Sequence, residues 1–155
     1  MPTTLNGILE AIEAQLVLKV TKLATLNVEI ATDAEGYEPR VSKYGAVIFG
    51  CGFSADGFKG GLEFKVVQID IAFIHKRSTD VSSEDPKAIE MLLTELTDQA
   101  RVGLQARFFA GAGLLSEPME FLRQSTPKKP KPNHVRVDQH WRCMYHHLIS
   151  EHLNA

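Results

Sequence analysis

The chain has 155 residues, of which 44% are hydrophobic and 23% charged, and its formal net charge is -2. That size and apolar content suit one domain, 1–155, around a single core, and the near-neutral balance excludes a global attraction to nucleic acid or an anionic membrane. The start, MPTTLNGILE, lacks a basic-then-apolar signal pattern and no apolar run reaches membrane-span length, so the sequence predicts a soluble protein made in a cytoplasm.

Thr3 or Thr4 can cap a first helix in which Leu5, Ile8, Leu9, Ile12 and Leu16 recur at helical spacing. The alternation Leu26, Val28, Ile30 then predicts a short strand, and DAEGYEPR a loop. YGAVIFGCGFS reads as a buried strand with Val47, Phe49, Cys51 and Phe53 on one side, and ADGFKGG as the turn after it. The two cysteines, Cys51 and Cys143, are expected to be buried free thiols.

GLEFKVVQIDIAFIHKR is the longest strand in the sequence, and its apolar residues change sides midway. Leu62, Phe64 and Val66 point one way; Val67, Ile69, Ile71 and Phe73 point the other. Either a bulge resets the face, or the strand is covered on both sides, as a neighbouring subunit would do.

A second helix is expected from Pro86 to about 107, capped by Asp85 and striped by Ile89, Leu92, Leu93, Leu96, Ala100 and Leu104. The stretch 108–134 reads mostly as a long loop or insertion, with a short amphipathic piece at Met119, Phe121 and Leu122. Within it STPKKPKP, bearing Lys128, Lys129 and Lys131, reads as an exposed extended loop, or as a basic finger for an acidic partner or nucleic acid. Together these elements predict an α+β domain with a mainly antiparallel sheet of about four strands and two amphipathic helices packed on it.

The C-terminal stretch HWRCMYHHLISEH poses a chemical question. As a helix it sets His140, Cys143, His147 and Glu151 on one stripe, where neighbouring members could share a zinc ion, as in a metal-binding module or metal-dependent hydrolase. As a strand it sends Val135, Val137, Gln139, Trp141 and Cys143 to one face and His140 to the other, so the same residues cannot converge. The clean Val135–Val137 alternation and the aromatic content favour the strand over the helix for 139–152. Elsewhere GFSADGFKGG joins two strands, whereas a phosphate cradle needs a strand-to-helix junction. Asp70 and His75 fall on opposite faces of one strand and make no dyad. These residues give no positive case for an enzyme, and none for a cofactor.

The succession ILEAIEAQL, YGAVIFGCGFS, GLEFKVVQIDIAFIHKR, DPKAIEMLLTELTDQARV and HWRCMYHH resembles, in pattern over nearly the full chain, the tail terminator or tail completion proteins of long-tailed bacteriophages, including the Mu-like and lambda terminator-like groups. The resemblance implies a non-enzymatic virion protein, assembled in the host cytoplasm into a hexameric ring. Such a ring caps the tail tube, ends its growth and joins the tail to the head–tail connector, with DNA passing through its lumen. It also implies contacts through DAEGYEPR, FSADGFKGG and STPKKPKP, with Phe53, Leu62, Phe64, Val66, Lys128, Lys129 and Lys131 at subunit or partner interfaces. The long 108–134 stretch and the histidine-rich end depart from the pattern, which leaves a head completion or neck protein as the neighbouring expectation.

Overall fold

In a computed structural model, residues 5–20, 23, 28–31, 44–59, 62–76, 86–105, 119–131 and 134–148 are described. They form α1 (Leu5–Lys19), β1 (Val28–Ala31), β2 (Tyr44–Lys59), β3 (Leu62–Lys76), α2 (Pro86–Gln105), β4 (Glu120–Gln124), β5 (Lys128–Lys131) and β6 (His134–Leu148). This is an α+β fold whose strands make a six-stranded sheet in the order β1-β2-β3-β6-β4, with β5 also on β6. All pairs are antiparallel except β1 with β2. The sheet therefore has more strands than the sequence suggested, and the additions, β4 and β5, lie in the stretch read as loop.

Both helices deposit their apolar stripes on one face of the sheet. From α1 come Ile8, Leu9, Ile12 and Leu16, and from α2 come Leu93, Leu96, Ala100 and Leu104. Against them the sheet presents Ala46, Ile48, Val67, Ile69, Ile71, Phe73, Val135, Val137, Trp141 and Cys143. Alternation with period two delivers every second residue of β3 and β6 to this face, and burial of such side chains stabilises by about 1.5–3 kcal/mol each. The two helices meet closely at Gly103, where a Cβ would lie 2.6 Å from the Cβ of Lys19. Nearby, Gln15 Nε2 donates to the Gly103 carbonyl at 3.0 Å and ties the crossing together. No helix among the described residues is long and apolar enough to cross a membrane.

The reversal of sides in β3 is not produced by a bulge against β6. Its register with β6 runs from Leu62↔Leu148 to Lys76↔His134 without a shift, so β3 contains no bulge against that neighbour. Towards the end of β3 both faces are covered: Val67, Ile69, Ile71 and Phe73 face the helices, while Ala72 and Ile74 pack with Val47 in a second buried cluster on the reverse face; the side chains of Leu62 and Phe64 lie outside the described residues. The irregularities sit in β2, between Cys51 and Phe53 and between Ala55 and Gly57. Cys51 is opposite Gln68 but Phe53 is opposite Val67, so Val47 to Phe53 do not keep one side as the sequence suggested. The same bulges let β2 run on through ADGFK to Lys59, which pairs with Leu62, so this segment is strand where a turn was expected.

Candidate functional site

The histidine-rich C-terminal segment is strand β6 as far as Leu148. Val135, Val137, Gln139, Trp141 and Cys143 are buried under the helices, while His140 and Arg142 alternate onto the other face. His140 and Cys143 thus lie on opposite sides of the sheet, and the helical stripe that a zinc site required is not formed. His147 stands in register with Glu63, its side chain outside the described residues, as are residues 149–155 with Glu151. Among the described residues no three His, Cys, Asp or Glu side chains come together as a metal site. Cys143 is a free thiol whose burial pushes its pKa up to about 12, so it stays protonated and unreactive at neutral pH.

Under α2 the sheet contains one polar device. Gln139, fully buried, donates from Nε2 to the Thr97 carbonyl at 2.9 Å and to Gln124 Oε1 at 3.0 Å, and its Oε1 accepts from the Trp141 indole at 3.1 Å. Thr97 in turn donates its hydroxyl to the Leu93 carbonyl at 2.9 Å. Each buried polar group is matched by another, so the network fixes α2 on β6 and β4 without an unsatisfied donor in this set. Beside it, the Phe121 and Trp141 rings meet edge to face at 5.3 Å, and the Arg101 guanidinium lies 4.2 Å above Phe121.

Away from the apolar cluster of Val47, Ala72 and Ile74, the reverse face carries charged side chains of β3, β6, β4 and β5. Asp70, which the sequence weighed against His75, is instead opposite His140: imidazole Nδ1 donates to its carboxylate at 2.7 Å, and Gln68 Nε2 donates to the same oxygen at 3.2 Å. Beyond this pair, Arg142 bridges Glu120 across to β4, and Asp138 accepts from Arg136 Nε at 2.6 Å and Lys128 Nζ at 3.5 Å. These contacts stitch neighbouring strands together. The His140–Asp70 pair has the form that orients an imidazole in catalysis, while two grooves of the described surface lie on the helices. One is lined by Glu90, Met91, Thr94, Glu95, Asp98 and Gln99 and the other by Lys19, Asp98, Gln99, Val102 and Gly103. The pair is a largely buried cross-strand link between β3 and β6.

The residues singled out for interfaces fall into two places. Phe53, Leu62, Phe64 and Val66 are register positions of the outer β2–β3–β6 ladder, opposite Val67, Leu148, His146 and Met144 respectively. Val66 is half-buried; the side chains of Phe53, Leu62 and Phe64 lie outside the described residues. The lysine segment is an edge strand on β6, with Lys128 opposite Arg136 and Lys131 opposite His134, where the sequence suggested a free loop. Pro130 is tolerated there because an edge strand leaves one row of backbone donors unused. DAEGYEPR lies outside the described residues. The sequence reading missed the exposed apolar side chains of the helices, Leu18, Met91 and Val102, at 70%, 65% and 75% exposure. Their signal was there to find: Met91 and Val102 stand off the apolar stripe of α2, at positions where polar residues are expected.

No protein-family model matches the chain, and no curated protein does. Among solved structures, a chain of the "Virion of native gene transfer agent (GTA) particle" is similar over 90% of this chain and 97% of its own, at 15% identity and a TM-score of 0.49. Similarity at that level fixes no function.

Proposed function

We propose that this chain is a structural virion protein of a long-tailed phage: a tail terminator whose ring caps the tail tube, ends tube growth and offers the surface that receives the head–tail connector. The observation that carries this reading is the length of the β2–β3–β6 ladder, at 16, 15 and 15 residues. Strands of globular domains usually run to 3–10 residues, with about 5–6 the commonest. Among the described side chains the last pair that joins the main core is Val67 with Cys143, and the ladder continues for five more pairs, to Leu62 with Leu148. Over this extension the outer edges of β2 and β6 pair with no other strand among the described residues.

Open edges along so long a ladder suit a subunit completed by copies of itself, since closed cyclic symmetry covers every such surface. The pattern resemblance of the whole sequence to tail terminators supplies the identity of the ring. In this role the work is done by surfaces, and the protein is not an enzyme. Its partners are the tube protein below and the connector above.

The test is electron microscopy of particles assembled in a host that makes every phage protein except this one. Tubes of irregular, excessive length and heads lacking tails are expected, with normal particles restored when the chain is supplied. Normal tails joined to heads in its absence would overturn the role.

A further inference from the structure

The two layers of this fold differ in charge. The helices α1 and α2 together carry five carboxylates and three basic side chains, whereas the segment from Glu120 to Arg142 carries two carboxylates and six lysines and arginines. On α2, Met91, Glu95, Asp98 and Val102 follow at intervals of four, three and four residues and form one outward ridge that is acidic in the middle and apolar at both ends. A groove of 640 Å³ runs along it, lined by Glu90, Met91, Glu95 and Asp98 among others. On the β4 edge, Leu122 is 44% exposed and occupies the bulge between Phe121 and Arg123. Arg123 is also exposed, and Lys128 follows on β5 with its side chain 58% exposed.

We infer that the acidic and apolar ridge of α2 docks on the basic β4–β5 edge of a second copy of this chain. Both surfaces hold exposed apolar side chains, and their charges are complementary, carboxylates on one and cations on the other. Because they are different surfaces of the same subunit, the contact is head-to-tail, and repetition around an axis closes it into a ring. The polarity of charge sets the direction in which subunits follow one another and rejects helix-to-helix pairing by like-charge repulsion. This inference rests on the ring proposed above and names its subunit interface.

The experiment uses full-length chains in two variants, one with Glu90→Lys and Asp98→Lys, the other with Arg123→Glu and Lys128→Glu. Circular dichroism melts first establish that both fold. Native mass spectrometry and sedimentation are then run up to about millimolar protein, where even weak contacts of low-micromolar to millimolar strength register. Wild-type chain is expected to assemble, and each variant alone to assemble about a hundredfold more weakly. An equimolar mixture should recover assembly, because alternating chains restore attraction at every contact. Wild-type rings with both variants assembling equally well would overturn this interface and leave the ring standing. A wild-type chain that stays monomeric throughout would overturn both.

Discussion

The two faces of the sheet solve different problems with the same strands. Under the helices, β6 presents Val137, Gln139, Trp141 and Cys143, all nearly inaccessible to water, and its one polar member is matched by Thr97, Gln124 and the Trp141 indole. On the reverse face Arg136 pairs with Asp138 along β6, while Asp138, His140 and Arg142 pair across strands with Lys128, Asp70 and Glu120. The first face holds the fold, because burial and matched hydrogen bonds there have no water to compete with. The charged pairs of the second range from largely buried, at Arg136–Asp138 and His140–Asp70, to exposed, at Arg142–Glu120, where solvent screens the attraction and the charges can vary. Covered packing and polar pairing thus alternate along one strand, and Arg142 is its exposed member among the described side chains.

The division breaks most visibly at Trp141. It is fully buried, packs on Phe121 and donates to Gln139, so Trp141→Ala removes apolar volume and leaves the Gln139 oxygen without its partner. A loss of about 3–5 kcal/mol is expected, read as a lower urea midpoint at constant slope. Of a protein of ordinary stability, that leaves little. Gly103 tests the covering layer instead. Its substitution by alanine places a Cβ 2.6 Å from Lys19 Cβ, a contact that only a shift of one helix relieves. Alanine gains about 1 kcal/mol in helix propensity, but overpacking costs about 1–3 kcal/mol, so Gly103→Ala should melt lower than wild type.

The same contrast explains what could be read from the sequence. β6 was legible because one of its faces is buried, and burial imposes the alternation Val135, Val137, Trp141, Cys143 that a reader can see. The stripe of α2 and the alternation Val67, Ile69, Ile71, Phe73 of β3 were legible for the same reason. β4 and β5 were not: EFLRQ and KKPK lie at the sheet margin, take their backbone partners from β6, and need no apolar period to do so. ADGFK looked like a turn because bulges in β2 accommodate its glycine and aspartate. Gln139 was assigned to the correct face, but nothing local announces that its amide reaches the carbonyl of Thr97, forty-two positions earlier. Asp70 and His140 are seventy positions apart, and only the β3–β6 register brings them together.

The smallest expected effect lies at the Arg142–Glu120 pair on the reverse face, and its smallness is informative. Both side chains are 53% exposed, so solvent and salt screen their attraction and each keeps much of its conformational freedom when unpaired. Arg142→Ala is expected to lower stability by less than about 1 kcal/mol. The difference should shrink further in 1 M salt, where the screening length falls to about 3 Å. A thermal melt series in rising salt measures this. A loss comparable to that of Trp141→Ala would mean that the charged face holds the fold as firmly as the covered one, and the division of labour along β6 would fail. A small, salt-sensitive loss leaves Arg142 and its neighbours available for surface recognition, because a face that contributes little to folding can exchange its charges without unfolding the subunit.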